Sequence, residues 1–354
     1  MLDINHIFKA ALDINHIFKE PDHPWVRNRV NIIFRLANLC KRNNIHYINY
    51  KNLFDTTSIK ESPTEKIISW LFYDLQCDPD GWKIIDEVCG RENKKIWFIT
   101  DNIIDSTVYQ FKNIQIKSYH KLLGMSYYGE TISDKPPTKL YNCFVQRCES
   151  IRQSWFYFLH LNNLLDKGHV SYLLWQMDDY SKHRGTELFN FIHYNFKLDQ
   201  LEQFDRAFKE LTPVVPYKNF SDDVELTKLI ADSKYSLVLE TFATDDVGAW
   251  CVTEKSMRSL QSSSITLGFC QKHTFKKLSE LGIEVDDFLK HIDGLEWVDR
   301  QQALLKILVE DSIDIDTTFK HDQCKHNADL LLNWKKQYEK NDFFDSLFDE
   351  IKAA

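Results

Sequence analysis

The chain contains little glycine, with 10 glycines among 354 residues. It has no GxxxxGK[ST], GxGxxG or GxSxG pattern. P-loop proteins, dinucleotide-binding folds and α/β-hydrolases need these glycines for a phosphate-binding loop or for the turn that exposes a nucleophile. The sequence therefore argues against all three classes.

Long apolar runs and paired cysteines are also missing. No stretch of about 18 apolar residues and no basic segment followed by an apolar one occurs, so we expect neither a transmembrane helix nor a secretory signal. The eight cysteines lack CxxC or Cys-His ligand spacing. Such cysteines are typical of free thiols in a reducing compartment. We therefore predict a cytoplasmic protein without structural zinc.

The charge is acidic, with a formal net charge of −8. A protein that binds the phosphate backbone of a nucleic acid needs a basic face, so the composition disfavours this class. A local basic groove is still compatible with the composition.

The length and the apolar content favour two domains of ordinary size. Hydrophobic residues make up 43% of the chain and aromatic residues 14%, which is ample material for two cores. At the N-terminus the octapeptide LDINHIFK occurs twice, at residues 2–9 and 12–19. One short repeat does not indicate a solenoid, so we interpret it as a local duplication or an added segment.

The first part of the chain alternates between helical and strand patterns. The patterns predict helices over 24–41 and from Pro63 to Leu75, and strands at Ile45–Ile48, Lys95–Thr100 and Ile114–Tyr119. This alternation favours a parallel sheet with helices on both faces. The segment GETISDKPPT at 129–138 has paired prolines and predicts a linker. We expect domains at 1–137 and 138–298, followed by helices over 299–354.

A strand, a loop and a helix start between residues 234 and 269 provide the strongest functional signal. The strand Tyr235–Leu239 ends at Glu240, Thr253-Glu254-Lys255 opens a helix, and Ile265–Phe269 is the next strand. In open α/β sheets, ligands bind beyond the carboxyl ends of parallel strands. A carboxylate and a lysine there suit a nucleotide sugar, because the carboxylate accepts from ribose hydroxyls and the ammonium neutralises a diphosphate.

A second strand–helix–strand unit lies between residues 139 and 172. Leu140–Val145 predicts a strand, Arg147 and Arg152 flank a helix start, and His169–Trp175 predicts the next strand. A guanidinium group at a helix N-terminus forms a ready site for a diphosphate.

These two segments resemble the donor-binding domain of the fucosyltransferase-like glycosyltransferases. That family has a strand ending in Phe-Glu-Asn-Ser and a Tyr-x-Thr-Glu-Lys helix start. Here Glu240 and Val252-Thr253-Glu254-Lys255 match in order, whereas Thr241-Phe242 replaces Asn-Ser and Cys251 replaces the tyrosine. The resemblance covers about residues 139–294. It implies two Rossmann-like domains facing a cleft, the GT-B fold, with C-terminal helices.

The resemblance also implies an inverting glycosyltransferase that uses a nucleotide-diphosphate sugar. Its donor-binding residues would be Arg147, Arg152, Glu240, Thr253, Glu254 and Lys255. A carboxylate from the first domain would take the acceptor's proton. Asp101, which follows the strand Lys95–Thr100, is the first candidate, followed by Asp105 and Glu130. We expect no obligatory metal or cofactor.

Two questions stay open at this point. The acceptor is a glycan or lipid-linked sugar, or alternatively a hydroxymethylated base in duplex DNA, because the Asn, Ile, Lys, Phe and Tyr content is typical of AT-rich genomes such as those of phages or low-GC bacteria. A phage-encoded enzyme would act in the host cytoplasm. The alternative function is an inactive relative that binds nucleotides or serves as a scaffold, since the Asn-Ser and Tyr positions differ.

Overall fold

The computed structural model describes residues 36–48, 56–71, 79–100, 102–105, 107–133, 135–145, 150–172, 223–240, 248–314, 317–340 and 342–353. The octapeptide repeat lies outside these residues, as does most of the helix predicted over 24–41, of which residues 36–42 are helical. The described residues form two compact units, each presented by itself below.

The first unit contains the described residues of 1–126, 247–251 and 331–354. Its main sheet has four parallel strands. Their order across the sheet is β1 (His46–Tyr47), β2 (Lys66–Leu71), β3 (Lys95–Thr100) and β5 (Ile114–Ser118). A short antiparallel pair joins β4 (Ile103–Ile104) to β9 (Ala249–Trp250). Its helices are α1 (Thr56–Lys60), α2 (Pro79–Arg91), a 3₁₀ helix (His120–Ser126) and α10 (Asp342–Ala353).

The middle of this sheet is buried on both faces. In β3, Ile96 and Phe98 belong to one apolar cluster with Trp82 of α2. Trp97, which points to the other face, belongs to a second cluster with Phe348 of α10. A strand that is covered on both sides reads as a continuous apolar run, which is what KIWFIT shows.

The helix predicted from Pro63 to Leu75 is wrong, because Lys66–Leu71 forms the strand β2. Ile67 and Ile68 are adjacent and both fully buried, one in each of the two clusters. Only a strand directs neighbouring side chains to opposite faces of a layer. Periodicity cannot distinguish so short an apolar run from a buried helix segment.

The second unit contains the described residues of 127–246 and 252–330. Its sheet has four parallel strands. Their order across the sheet is β10 (Ile265–Phe269), β8 (Ser233–Leu239), β6 (Lys139–Val145) and β7 (Gly168–Tyr172). Its helices are α3 (Ser150–Leu161), α4 (Asp223–Ala231), α5 (Glu254–Leu260), α6 (Thr274–Glu280), α7 (Asp287–Asp293) and α8 (Trp297–Glu310). The chain continues through α9 (Thr317–Glu339), which contributes to both units.

The chain is therefore a mixed α/β protein with parallel sheets and C-terminal helices, as the sequence predicts. The strands expected at Leu140–Val145, Tyr235–Leu239 and Ile265–Phe269 are confirmed. The two units do not follow the predicted domain limits: residues 127–137 group with the second unit, and residues 331–354 group with the first. Within the described residues, no helix combines the length and apolar character needed to cross a bilayer.

The order of strands differs between the two sheets. In the first unit, the four described parallel strands follow one another across the sheet in chain order. In the second unit, the chain moves outward from β6 to β7 and then returns to the other side of β6 with β8 and β10. The carboxyl ends of β6 and β8 therefore flank a topological switch point, where open α/β sheets bind their ligands.

Candidate functional site

The candidate site lies beyond the carboxyl ends of β6 and β8, at the switch point of the second unit. Glu240 directly follows β8, and Thr253 is the N-cap residue of α5. The structure thus brings Glu240 next to Thr253, Glu254 and Lys255, although 12 residues lie between Glu240 and Thr253 in the sequence.

Glu240 is fully buried, and the start of α5 occupies its carboxylate. The backbone N–H of Thr253 donates to Oε1 at 3.0 Å, and the Thr253 hydroxyl donates to Oε2 at 2.6 Å. The Ser256 hydroxyl also donates to Oε1, at 2.6 Å. A buried carboxylate needs donors of this kind to replace its lost hydration. In this arrangement Glu240 links the end of β8 to the first turn of α5.

Glu254 and Lys255 form a partly exposed ion pair on that first turn. Lys255 Nζ lies 2.9 Å from Glu254 Oε1, and the two side chains are 27% and 30% exposed. Lys255 Nζ also donates to the Thr253 hydroxyl oxygen at 3.3 Å. The pair presents one cation and one anion at the carboxyl edge of the sheet.

The Glu254 carboxyl group is held in its ionised form. Burial alone raises its pKa, but the charge and hydrogen bond of Lys255, its own backbone N–H and the charge of Arg258 lower the pKa to about 2. Opposite charges at such distances favour the ionised form of a carboxyl group. At neutral pH the site therefore offers a carboxylate acceptor next to an ammonium donor.

Arg152 lies in the interior of the second unit, on the first turn of α3. Its side chain is only 2% exposed. Burial raises the pKa of the Cys143 thiol on β6 to about 12, and the Arg152 charge opposes this rise, which places the guanidinium near the strand. The prediction that Arg152 binds the donor phosphates therefore requires a diphosphate that enters the protein interior or an arginine that moves outward.

Of the other predicted residues, the structure describes Glu130 but neither Arg147 nor Asp101. Glu130 is exposed in the second unit and precedes Thr131, whose backbone N–H donates to Gln261 O at 2.9 Å. Gln261 is the C-cap residue of α5. Seven helical residues span about 10 Å, so Glu130 lies near the end of α5 that is opposite to Lys255.

Two residues near the pair were not predicted from the sequence. Ser256 lies three positions after Thr253, a spacing that puts both on one face of a helix, and this spacing could have indicated that it binds Glu240. Arg258 is 7% exposed and stacks over the ring of Tyr128, with its guanidinium carbon 4.0 Å from the ring centroid. No sequence signal could have indicated the contact with Tyr128, which is 130 positions away.

The candidate site presents charged and hydrogen-bonding groups. Among the described residues, no group of three or more His, Cys, Asp or Glu side chains could hold a metal ion. The arrangement can accept hydrogen bonds from hydroxyl groups and can attract an anion.

The comparisons with known proteins identify no relative. The chain matches no protein-family model, and neither the curated proteins nor the solved structures include a match.

Proposed function

We propose that the protein is a glycosyltransferase that transfers a sugar from a nucleotide-diphosphate donor to a hydroxyl acceptor. The observation that carries the proposal is the ionised Glu254–Lys255 pair beyond β8, at the point where the strand order reverses. A nucleotide sugar presents vicinal hydroxyls and a diphosphate, which are the groups that a carboxylate beside an ammonium recognises. The proposal includes two Rossmann-like domains of the GT-B type.

The proposed reaction is an inverting displacement. The acceptor hydroxyl attacks the anomeric carbon, the bond to the nucleoside diphosphate breaks, and the acceptor's proton passes to a carboxylate. The Lys255 ammonium stabilises the negative charge that develops on the leaving diphosphate. Asp101 remains the first candidate base. Glu130, the second candidate, is disfavoured because it lies near the end of α5 that is opposite to Lys255, and no metal is required in this scheme.

The proposed acceptor is a glycan or a lipid-linked sugar. A hydroxymethylated base in duplex DNA is the second acceptor class. It would demand a basic groove and extrusion of the base from the duplex. Incubating the enzyme with a labelled donor and each acceptor class separates the two by the product that acquires the label.

A second candidate function is nucleotide binding without transfer. The departures from the family motif favour it, because Thr241-Phe242 replaces Asn-Ser and Cys251 replaces the tyrosine. Slow hydrolysis of the donor without an acceptor distinguishes the two functions, since only a transferase activates the anomeric carbon.

The first experiment is a thermal-shift screen against nucleoside diphosphates and nucleotide sugars. A ligand at 100 times its Kd adds about 2.7 kcal/mol to the free energy of unfolding. We expect a shift with one nucleotide and its loss in Lys255→Ala. Lys234→Ala is the matched control: Lys234 also pairs with a carboxylate (Asp311, 2.6 Å) and is 19% exposed, but it lies at the amino end of β8.

The kinetic test follows once a donor is identified. Loss of one preorganised cation at a developing charge costs about 2–4 kcal/mol of transition-state stabilisation, so Lys255→Ala should lower kcat/KM by about 30-fold to 1,000-fold. A Lys255→Ala enzyme within twofold of the wild type would refute the role of this lysine. The absence of any nucleotide shift in the wild-type protein would refute the proposed function itself.

A further inference from the structure

Glu240 is the most completely engaged polar side chain at the candidate site. It has no exposed surface. Its Oε1 atom accepts from the Thr253 backbone N–H and the Ser256 hydroxyl, and its Oε2 atom accepts from the Thr253 hydroxyl. A donor-binding carboxylate would have to exchange these contacts for ribose hydroxyls, which makes Glu240 a poor ligand.

The Thr253 hydroxyl connects Glu240 to Lys255. Its oxygen lies 3.3 Å from Lys255 Nζ and 3.3 Å from the Lys255 backbone nitrogen, and it accepts from both. A threonine hydroxyl has one proton and two lone pairs. Because the Thr253 hydroxyl donates its hydrogen bond to Glu240 Oε2, both lone pairs of the hydroxyl oxygen can accept from Lys255.

We infer that Glu240 is a positioning residue that orients the Thr253 hydroxyl and thereby holds the Lys255 ammonium in place beside Glu254. This inference rests on the proposed function for its catalytic meaning. The geometric part does not, since the contacts from Glu240 through Thr253 to Lys255 are all made within the protein. The donor is then recognised by Glu254 and Lys255, while Glu240 stays inside the protein.

Glu240→Gln tests the direction of the hydrogen bonds. The amide group can donate to the Thr253 oxygen, which occupies a lone pair and turns the hydroxyl proton towards the Lys255 ammonium. We expect Lys255 to lose its anchor and the pair with Glu254 to loosen. A ¹³C NMR titration of the Glu254 carboxyl group measures this: its pKa should rise from about 2 towards the ordinary range of a glutamate.

Three further variants separate positioning from general stabilisation. Ser256→Ala removes a donor to the other oxygen of Glu240 and should destabilise the fold without changing the Glu254 pKa. Thr253→Val keeps Glu240 but removes the hydroxyl, so it should raise the Glu254 pKa as Glu240→Gln does. Thr253→Ser keeps the hydroxyl and should leave the pKa unchanged. If Glu240→Gln does not fold, the comparison of the Glu254 pKa in Thr253→Val with that in Thr253→Ser still tests the inference.

A binding experiment tests whether the positioning of Lys255 matters for function. Inorganic pyrophosphate and the nucleoside diphosphates are titrated against wild type, Glu240→Gln, Lys255→Ala and the double variant. We expect Glu240→Gln to weaken binding at least tenfold. Adding it to Lys255→Ala should cause little further loss, because the first change displaces the ammonium that the second removes.

The outcomes separate the two proposals. If wild type binds no nucleotide or pyrophosphate, the proposed function fails, and the NMR titration still decides the positioning role. If the Glu254 pKa is the same in wild type, Glu240→Gln and Thr253→Val, the positioning role is overturned. Equal pKa changes in Ser256→Ala and Glu240→Gln would also overturn it, since a merely structural role predicts that result.

Discussion

Replacing Asp293 with asparagine should make the protein more stable above neutral pH. Asp293 is the last residue of α7 and is only 1% exposed. Its Oδ2 atom accepts from the backbone N–H groups of Phe275 and Lys276 at 2.8 and 3.2 Å. Among the described residues, no hydrogen-bond partner reaches Oδ1. An ionised carboxylate in such a place keeps only part of the stabilisation that water would give it.

The pKa of Asp293 gives the size and the sign of the effect. Burial raises this pKa from 3.8 to about 7, although the N–H groups of Lys276 and Phe275 and the charge of Arg300 lower it. In the unfolded chain the Asp293 carboxyl group ionises near pH 3.8, whereas in the folded protein it keeps its proton until about pH 7. The folded state therefore binds the proton more tightly, and stability falls as pH rises between these values. The full cost above pH 7 is about 4 kcal/mol, at roughly 1.4 kcal/mol per pKa unit.

Urea unfolding at several pH values measures this cost. Between about pH 5 and about pH 8, the free energy of unfolding of wild type should fall by about 2–3 kcal/mol relative to that of Asp293→Asn. Asp287→Asn is the control, because Asp287 lies in the same helix with its side chain 97% exposed. If the difference between wild type and Asp293→Asn does not vary with pH, Asp293 is not a buried group with a raised pKa.

Two pairs of substitutions test the packing and the buried charge, each by chemical denaturation. Gly124→Ala should destabilise by about 1–3 kcal/mol, because a Cβ there would lie 2.5 Å from a backbone nitrogen. Gly81→Ala in α2 meets no atom within 4 Å and should stabilise by about 0.5–1 kcal/mol. Equal effects of the two substitutions would contradict the packing. Asp286→Ala should cost about 3 kcal/mol or more, since it removes the charge partner of the Lys320 ammonium, which is 4% exposed and lies 2.9 Å from Asp286. The ammonium would keep its hydrogen bond to the Gln323 side chain. Asp287→Ala should stay within about 0.5 kcal/mol of wild type, and a similar loss in both would contradict a special role for the buried pair.

Local patterns predicted much of the strand content. KIWFIT and ITLGF become β3 and β10 with the predicted limits, because a strand that is buried on both faces is mostly apolar along its length. Thr253 before Glu254 likewise predicts the start of α5, since a threonine N-cap satisfies a free N–H of the first turn. These features depend on residues that are close in the chain, and the sequence contains that information directly.

The same local patterns failed where two structures suit one apolar run. The segment KIISWL begins shortly after a proline and has apolar residues that also fit one face of a helix. Its neighbours in the sheet, β1 and β3, supply the hydrogen bonds that make it a strand. Those partners come from other parts of the chain, so propensity alone could not decide between helix and strand.

The sequence by itself determined which residue types stand near the carboxyl ends of β6 and β8, including Glu240, Thr253, Glu254, Lys255 and Arg152. Only the tertiary structure decided their exposure. Glu240 and Arg152 are buried, while Glu254 and Lys255 reach the surface together. The reason is physical: a charged side chain goes inside only where partners from distant segments replace its water, and the packing of α3, α5 and the sheet determines where those partners lie.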